Sequence, residues 1–547
     1  MAWPRGKQLG GSSAINLGLW NRASKADIDS WANLGNDGWS WEDLLPYFKK
    51  VETFNEPTSE VAEQQGIDWI EPEFHGEDGP IQVSFQKEFD PFQQAWNPTF
   101  DNLGLGETGD PFNGEALGGF TTPMSVDPDT IVRSYAANAY FLPIAERENL
   151  KVLTGAFAQK IIFADEEGDG KRRYRNRNRP GLVATGVEFS VDGSACVVNA
   201  DREVIVSAGV VQSPHLLELS GIGSKEILEP LGIDVLVEND GVGENLQDHV
   251  HTSVGFEVND GLPTLTQLAD PEFAAAAIQS FLTSGTGYLT NLFSSGSYVS
   301  YAQMLDTEGV TGTSAEDITK IKGPKEDKKR ISGLKKQYKE ISKKLEDEHE
   351  AVVEQIQIPG GFNYADGDNT TKLFIAPPGD LLTLYSWLLH PYSRGNIHIA
   401  SADPTVYPRI DPRYLSHPAD LEILSTIALH TQEVAKTEPF ASLLKDNASV
   451  YAPNYFELTP ENVEEHVKNT LTSIYHPVGT CAMMPENDNG VVDSRLRVYG
   501  TSNVRVIDGS IMPLLTRGTI QSLVYAIGEK GADLIKEDAN SIAYAKR

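Results

Sequence analysis

The stretch VIVSAGVVQSPHLLELSGIG, residues 204–223, decides the fold of this 547-residue chain. Its β-branched beginning, residues 204–206, predicts a buried strand, and a turn of small residues follows directly. Ser213 and Pro214 then predict the start of a helix, because serine caps helices and proline suits their first position. A strand, a tight turn and a helix in this order indicate a crossover of a nucleotide-binding α/β domain.

Two further segments lie near the ends of the chain. In RGKQLGGSSAIN, residues 5–16, paired glycines let the backbone approach a planar or anionic ligand, and the helix start behind them directs free N–H groups at it. Taken alone, a tight turn explains this segment equally well. The other segment is YHPVGTCAM at residues 475–483, which VRVIDGSIMP follows at residues 504–513. Its β-branched start predicts a second short strand.

Length and composition narrow the class of protein. The chain is long enough for two globular domains with buried cores, and 40% of its residues are hydrophobic and 22% charged. No apolar run approaches the roughly 20 residues of a membrane-spanning helix. Lysine and arginine number 45 against 78 acidic residues, and the resulting charge of −33 argues against a nucleic-acid or anionic-membrane partner.

Cysteine usage says little about the compartment. Cys196 and Cys481 are the two cysteines, and they form neither a disulfide framework nor a CxxC metal site. No metal site is therefore predicted, and both a secreted and a cytoplasmic location stay open, as does the oligomeric state.

The rest of the chain divides by its patterning. Residues 52–125 show no sustained periodicity, and the basic run at residues 171–177 is predicted to be a solvated hairpin tip. Helices are predicted behind Ser24, from residue 39, and over residues 134–144, 331–345 and 521–536. Strands are predicted at residues 152–163, 182–189, 204–206, 373–376, 384–389, 396–399 and 504–507.

In this order and spacing, the segments resemble the glucose–methanol–choline oxidoreductase family from about residue 5 to 535. The segment at residues 5–16 fits one family signature, continued through Trp20, Ala23 and Asp29. The crossover fits a second signature except at Val210, where a small residue is usual. GVGENLQDH at residues 241–249 and LHPYSRGNI at residues 389–397 extend the resemblance.

The resemblance implies an α/β protein, α+β overall, with two domains. A discontinuous Rossmann-type FAD-binding domain would comprise residues 1–50, 130–255 and 485–547. A substrate-binding domain with a six-stranded antiparallel sheet and helices would comprise residues 51–129 and 256–484.

The same resemblance implies FAD as the cofactor and a small-molecule alcohol as the substrate. Relatives pass a hydride from the alcohol to flavin N5, and dioxygen or a quinone takes up the electrons. Residues implied at the cofactor are Gly10, Gly11, Ser12 and Asn16 beside the flavin, Ala158 near the adenine, Asp508 and Gly509 at the pyrophosphate or ribityl, and Thr519 and Gln521.

His476 matches the family's catalytic histidine. An alcohol must lose a proton as its hydride leaves, and imidazole titrates near the working pH. Of the 11 histidines, His476 is the one within a family catalytic motif. By the same resemblance His390 is a packing residue beside the cleft, and His249 is a structural residue next to the cofactor.

The chain departs from the family at its start. The family's GxGxxG fingerprint is expected several tens of residues before Gly10, and nine residues precede it here. The literal GLGETG at residues 104–109 does not fit, because Asp110 and Pro111 follow it instead of a helix. We therefore expect Met1 to lie inside a longer protein, apolar faces to be exposed, and the chain as given to bind FAD poorly.

A second departure concerns Thr519, within RGTIQ at residues 517–521. Relatives carry a second histidine or an asparagine at this place. Threonine can make one hydrogen bond to an alcohol oxygen, but it cannot act as a second base. Three functions stay open: an FAD-dependent alcohol dehydrogenase or oxidase, a non-oxidative relative such as a hydroxynitrile lyase or a cyclising synthase, and a truncated, flavin-free inactive remnant.

Overall fold

Residues 204–219 form a strand, a turn and a helix in the computed structural model of the chain, and the strand pairs in parallel with residues 504–506 rather than with the strand that follows the helix. The structure describes residues 3–164, 181–290, 293–324, 331–361, 379–452 and 456–545. The bounds of the helices and strands are as follows.

The α-helices of the described ranges are α1 (Lys25–Asn33), α2 (Trp41–Val51), α3 (Ser59–Gln65), α4 (Pro91–Asn102), α5 (Gly209–Leu219), α6 (Lys225–Leu228), α7 (Pro271–Ser284), α8 (Tyr301–Asp306), α9 (Ala315–Thr319), α10 (Ile331–Glu346), α11 (Pro418–Lys436), α12 (Val463–Thr470) and α13 (Gln521–Ala545). The strands are β1 (Glu52–Phe54), β2 (Ile81–Val83), β3 (Gly118–Thr121), β4 (Val126–Asp127), β5 (Val132–Arg133), β6 (Ala156–Phe163), β7 (Ala184–Val191), β8 (Ser194–Asn199), β9 (Val204–Val206), β10 (Ile222–Gly223), β11 (Val237–Glu238), β12 (Val250–Glu257), β13 (Ser295–Ser300), β14 (Ala351–Ile358), β15 (Leu381–Leu388), β16 (Asn396–His398), β17 (Arg409–Asp411), β18 (Val450–Ala452), β19 (Thr472–Ser473) and β20 (Val504–Val506).

The helix of the crossover begins at Gly209, so the predicted start at Ser213 is wrong. The carboxylate of Asp508 accepts hydrogen bonds from the Gly209 N–H (2.9 Å) and the Ser213 hydroxyl (2.6 Å), and it thereby caps the helix four residues earlier. Pro214 then lies inside α5, where its missing N–H leaves the Val210 carbonyl without a helical donor. The hydroxyl of Thr480 supplies that hydrogen bond at 2.6 Å.

An antiparallel sheet forms the second layer of the fold. Its strands follow the order β18-β12-β15-β14-β13-β3, and the short β19 also pairs with β12. The path thus has six strands, as the resemblance implied, and β19 adds a seventh. Strands β14 and β15 are buried along their whole length, and the buried residues of β14 include the polar Glu354, Gln355 and Gln357. The predicted domain boundary at residue 255 falls within β12.

Residues 204–206 and 504–506 form a small parallel pair of strands. Strands β9 and β20 pair with Val204 opposite Val504, so two of the segments that decide the fold meet directly. Beside them β6, β7 and β8 form an antiparallel sheet. Ile205 in β9 is 39% exposed, so the β9–β20 pair has an apolar side chain that the described residues leave partly accessible to solvent.

Local capping signals predicted several helices correctly. Helix α1 is capped by Ser24 and α2 by Ser40, each within a reciprocal capping box. The helix predicted over residues 134–144 is present as a π-helical turn at Ala137–Phe141 followed by a 3₁₀ turn at Leu142–Ile144. Helix α4 and strand β8 were not predicted, and residues 171–177 and 373–376 lie outside the described residues.

No helix in the described ranges is long and apolar enough to cross a membrane.

A fully buried carboxylate, Asp27, connects distant parts of the chain. Its Oδ1 accepts hydrogen bonds from the Lys344 ammonium and the His390 ring, both at 2.7 Å, and its Oδ2 accepts one from the Arg517 N–H at 2.7 Å. Burial alone would raise the pKa of Asp27, but Lys344 and then His390 hold it well below its ordinary value. Asp27 is therefore ionised and fully hydrogen-bonded inside the core.

We expect Asp27→Ala to lower the free energy of unfolding by about 3–5 kcal/mol, because it leaves the Lys344 ammonium buried without its counter-charge. Since the pKa of Asp27 is lowered in the folded state, its contribution is present above about pH 4 and is lost as the pH falls further. Denaturant unfolding measures the change. The control is Glu464→Ala, which removes an exposed partner of Lys468 and should leave stability unchanged. Equal effects of the two substitutions would contradict the assignment.

Candidate active site

The backbone around His476 is held in an uncommon conformation. Tyr475 has φ +68°, a left-handed value that is costly for a residue with a side chain. Its N–H donates to the Ser473 hydroxyl at 2.7 Å, and its carbonyl accepts a hydrogen bond from the Arg5 guanidinium at 2.7 Å. The N–H of His476 donates to Asp248 Oδ1 at 3.0 Å. These contacts fix the loop that presents His476.

Asp248 is the centre of this hydrogen-bond network. Besides the His476 N–H, its carboxylate accepts the hydroxyls of Tyr414 and Ser473, both at 2.5 Å from Oδ2. Burial raises the pKa of Asp248 to about 6, although the hydrogen bonds from Ser473 and Tyr414 act in the opposite direction.

The ring of His476 contacts a second histidine. Its Nδ1 lies 3.0 Å from Nδ1 of His249, whose Nε2 lies 3.2 Å from the carbonyl oxygen of Leu389. Burial, and after it the charge of Arg5, lowers the pKa of His476 to about 3, so its imidazole is neutral at physiological pH. Within the described residues, Nε2 of His476 makes no hydrogen bond. It is the atom at which this ring can accept a proton.

Thr519 is held by a different part of the chain. Its N–H donates to Oδ1 of Asn21 at 2.6 Å, and its hydroxyl lies 3.0 Å from the Leu19 carbonyl and 2.8 Å from the same Asn21 oxygen. Asn21 in turn donates to the buried carboxyl of Glu354 at 2.8 Å. In the parts of the chain that the structure describes, Thr519 and His476 share no hydrogen bond.

The paired glycines form an open turn. Gly10 and Gly11 have φ +89° and +53°, and a 3₁₀ turn covers Gly11–Ala14. A Cβ on Gly10 would meet the Tyr135 ring at 2.7 Å, whereas a Cβ on Gly11 would meet nothing within 4 Å. The Ser12 hydroxyl accepts the Gly6 N–H at 3.2 Å, which closes the turn. One side of the turn is therefore open to a ligand.

Polar side chains line up behind this turn. Asn16 donates to Oε1 of Gln521, the first residue of α13, and it accepts a hydrogen bond from Arg133. The Nε2 of Gln521 is buried and has no hydrogen-bond partner among the described residues. An open glycine turn beside a buried, unpaired N–H donor fits a planar ligand with acceptor atoms.

The other predicted cofactor residues lie elsewhere. Both oxygens of Asp508 are engaged, because Oδ1 also accepts the Ser510 N–H at 2.8 Å, and Gly509 begins a 3₁₀ turn at Gly509–Ile511. Ala158 is an exposed residue of β6 that pairs with Phe189. The structure thus brings Asn16 and Gln521 together and places Asp508 at the start of α5.

Sequence reasoning missed several residues of this site. Asp248 was recognised only as part of the GVGENLQDH motif, and His249 was expected to be a structural residue next to the cofactor, although an Asp–His pair in this motif was an available signal. Asn21 and Glu354 carry no local signal, because their roles depend on partners far away in the sequence, and the motif at residues 5–16 includes Arg5 without indicating its contact with Tyr475.

Comparisons with known proteins identify the class of protein. Sequence models of the GMC oxidoreductase family match residues 1–251 and 391–528. The chain therefore belongs to the glucose–methanol–choline (GMC) oxidoreductase family.

Individual relatives agree with this assignment. The chain is 35% identical to dehydrogenase citC of Monascus ruber, across 98% of this chain and 84% of that protein. It is 33% identical to the GMC oxidoreductase family protein Mala s 12 of Malassezia sympodialis, across 98% and 80%. Among solved structures, an FAD-dependent oxidoreductase from Chaetomium thermophilum superposes with a TM-score of 0.85 at 28% identity, across 98% of this chain and 87% of the other. A fungal aryl-alcohol oxidase gives 0.80 at 26% identity, across 98% and 86%.

We expect Asp248 to make stability depend on pH between about 4 and 6. Its pKa is raised in the folded state, so in this window the folded protein holds a proton that the unfolded chain has released. Relative to Asp248→Asn, the wild type should therefore lose about 2 kcal/mol of stability as the pH rises from 4 to 7. Denaturant unfolding of both proteins at the two pH values measures this, and every other titrating group cancels in the difference. A difference in stability between the two proteins that does not change with pH would show that the pKa of Asp248 is not raised in the folded state.

Proposed function

We propose that this protein is an FAD-dependent oxidoreductase that oxidises a small-molecule alcohol, with His476 as the base. The observation that carries the proposal is the neutral imidazole of His476, with an unpaired Nε2, on a loop fixed by Asp248 and Arg5. Membership of the GMC oxidoreductase family and FAD-dependent structural neighbours support the cofactor.

In the proposed arrangement, residues 1–50, 130–255 and 485–547 bind FAD, and residues 51–129 and 256–484 bind the alcohol. The open turn supports the choice of residues at the flavin. We assign Gly10, Gly11, Ser12, Asn16 and Gln521 to the flavin, Ala158 to the adenine, and Asp508 and Gly509 to the pyrophosphate or ribityl.

Bound FAD supplies the hydride acceptor. The chain's own part is to hold the alcohol and to take the hydroxyl proton at Nε2 of His476, so that negative charge does not build up on the oxygen. Dioxygen or a quinone then accepts the electrons, and both kinds of enzyme occur among the relatives, which are named as oxidases and dehydrogenases.

His476→Ala tests the base. In the FAD-loaded chain, we expect the rate of flavin reduction by the best of a panel of primary alcohols to fall by roughly 10²–10⁴-fold, the usual contribution of a positioned general base. The ratio of flavin to protein should stay unchanged. Bleaching of the flavin absorbance in a stopped-flow instrument measures the rate. The matched control is His466→Ala, since His466 is also a buried histidine but contacts the Ser253 carbonyl. A His476→Ala rate within a few-fold of the wild type would refute the assignment.

Thr519→Asn tests how the alcohol is oriented. We expect turnover to be preserved or raised, because the carboxamide offers a hydrogen-bond donor that does not depend on the contacts to Leu19 and Asn21. The same stopped-flow assay measures it, with Thr516→Ser as a control for a neighbouring threonine. A large loss would instead favour a site rebuilt for a non-oxidative reaction such as cyanohydrin cleavage or ring closure, the second function that the threonine at this place supports.

A further inference from the structure

We propose that His249 is a positioning residue that fixes the tautomer of His476, so that its Nε2 is the unprotonated nitrogen facing the alcohol. The inference rests on the proposed function of His476 and adds a role for a residue that the family motif marks only as structural. It follows from two contacts, His249 with Leu389 and His249 with His476.

The first contact fixes the proton of His249. Its Nε2 lies 3.2 Å from the carbonyl oxygen of Leu389, and a carbonyl oxygen can only accept a hydrogen bond. Nε2 of His249 therefore carries a hydrogen. Burial, and then the neighbouring rings of His476 and His390, hold the pKa of His249 well below its ordinary value, so the ring is neutral. A neutral ring with a hydrogen on Nε2 has a lone pair on Nδ1.

The second contact, between His249 and His476, fixes the position of the proton on His476. Its Nδ1 lies 3.0 Å from Nδ1 of His249, and because the latter is an acceptor, the former must be the donor. A neutral His476 with its hydrogen on Nδ1 has an unprotonated Nε2. The chain of contacts thus leads from the Leu389 carbonyl to a single free lone pair at the candidate active site.

The backbone holds this chain of contacts, from Leu389 through His249 to His476, in place. His249 directly follows Asp248, whose carboxylate accepts the His476 N–H, so two consecutive residues hold the backbone and the ring of the same histidine. Leu389 directly precedes His390, which is bonded to the buried Asp27. Both ends of this chain of contacts, Leu389 and His476, are therefore held next to buried carboxylates, Asp27 and Asp248.

The hydrogen bond between His249 and His476 also has a role once His476 has taken the proton of the alcohol. The O–H bond of the alcohol breaks and an N–H bond forms at Nε2 of His476, which becomes a cation. Its Nδ1–H bond to His249 is then charge-assisted and stronger than before. His249 keeps its own proton on Nε2 throughout, so it stabilises the cation without exchanging a proton.

The tautomer can be measured without any substrate. In the full chain with ¹⁵N-labelled histidine, long-range ¹H–¹⁵N correlations distinguish protonated from unprotonated ring nitrogens, and the signals absent from His476→Ala identify His476. We expect Nδ1 of His476 to be protonated and Nε2 to be unprotonated. A wild-type protein with the hydrogen on Nε2 of His476 would overturn the inference, even if the chain oxidises alcohols.

Variants of His249 test the consequence for the rate. Asparagine retains an acceptor near the place of Nδ1, whereas leucine removes it. With whichever of benzyl alcohol, methanol and glucose reduces the wild-type flavin fastest, we expect His249→Leu to lower the limiting rate of flavin reduction by about 10- to 100-fold, the usual effect of removing such an orienting partner. The alcohol concentration for half-maximal rate and the flavin content should be unchanged, and His249→Asn should restore most of the rate.

The matched control is His466→Leu, which removes another buried histidine next to a backbone carbonyl but breaks no contact with His476. Equal rates for His249→Leu and the control, or an asparagine variant as slow as the leucine variant, would overturn the positioning role. Failure of the wild-type chain to oxidise any alcohol, with the expected tautomer observed, would refute the proposed function and leave the tautomer assignment standing. If His249→Leu does not fold, the measurement on the wild type decides.

Discussion

The buried carboxylate of Asp27 is the constraint on which the rest of the structure depends. An ionised carboxylate inside a core must have its hydrogen-bond partners, and Asp27 takes them from α10, from His390 and from the backbone of Arg517. Two of these partners, His390 and Arg517, belong to segments that carry part of the candidate site. His390 follows Leu389, whose carbonyl contacts His249, and Arg517 precedes the turn that holds Thr519. Satisfying one charge in the core therefore helps to fix the segments that hold Leu389 and Thr519.

Burial acts on the two titrating groups of the site in opposite directions. It lowers the pKa of His476 to about 3 and raises that of Asp248 to about 6, because both shifts favour the neutral form. As the proposed base, His476 would be a weak proton acceptor, since general bases work best when their pKa lies near the ambient pH. The contact with His249 bears on this problem, because a neutral acceptor at Nδ1 would stabilise the cation that proton transfer to His476 would form.

The sequence predicted those parts of the fold whose causes are local. Ser24 and Ser40 cap α1 and α2 through residues three positions away, and the β-branched run of β9 needs no distant partner to be recognised. The start of α5 was missed because its cap, Asp508, lies 299 positions from Gly209 in the sequence. The role of His249 was missed for the same reason, as 227 positions separate it from His476. Family motifs found the residues, but motifs do not show which atoms meet.

The hydrogen bonds of Asn21 restrict what Thr519 can do. The amide of Asn21 cannot be reversed, because its oxygen accepts the Thr519 N–H and its nitrogen donates to Glu354. The single hydroxyl hydrogen of Thr519 points at the Leu19 carbonyl or the Asn21 oxygen, so in this state the hydroxyl can only accept from an alcohol. An alcohol that donates to Thr519 cannot also donate to His476, since it has one hydroxyl hydrogen. Thr519 can therefore assist proton removal only after its own hydrogen has rotated toward the alcohol oxygen.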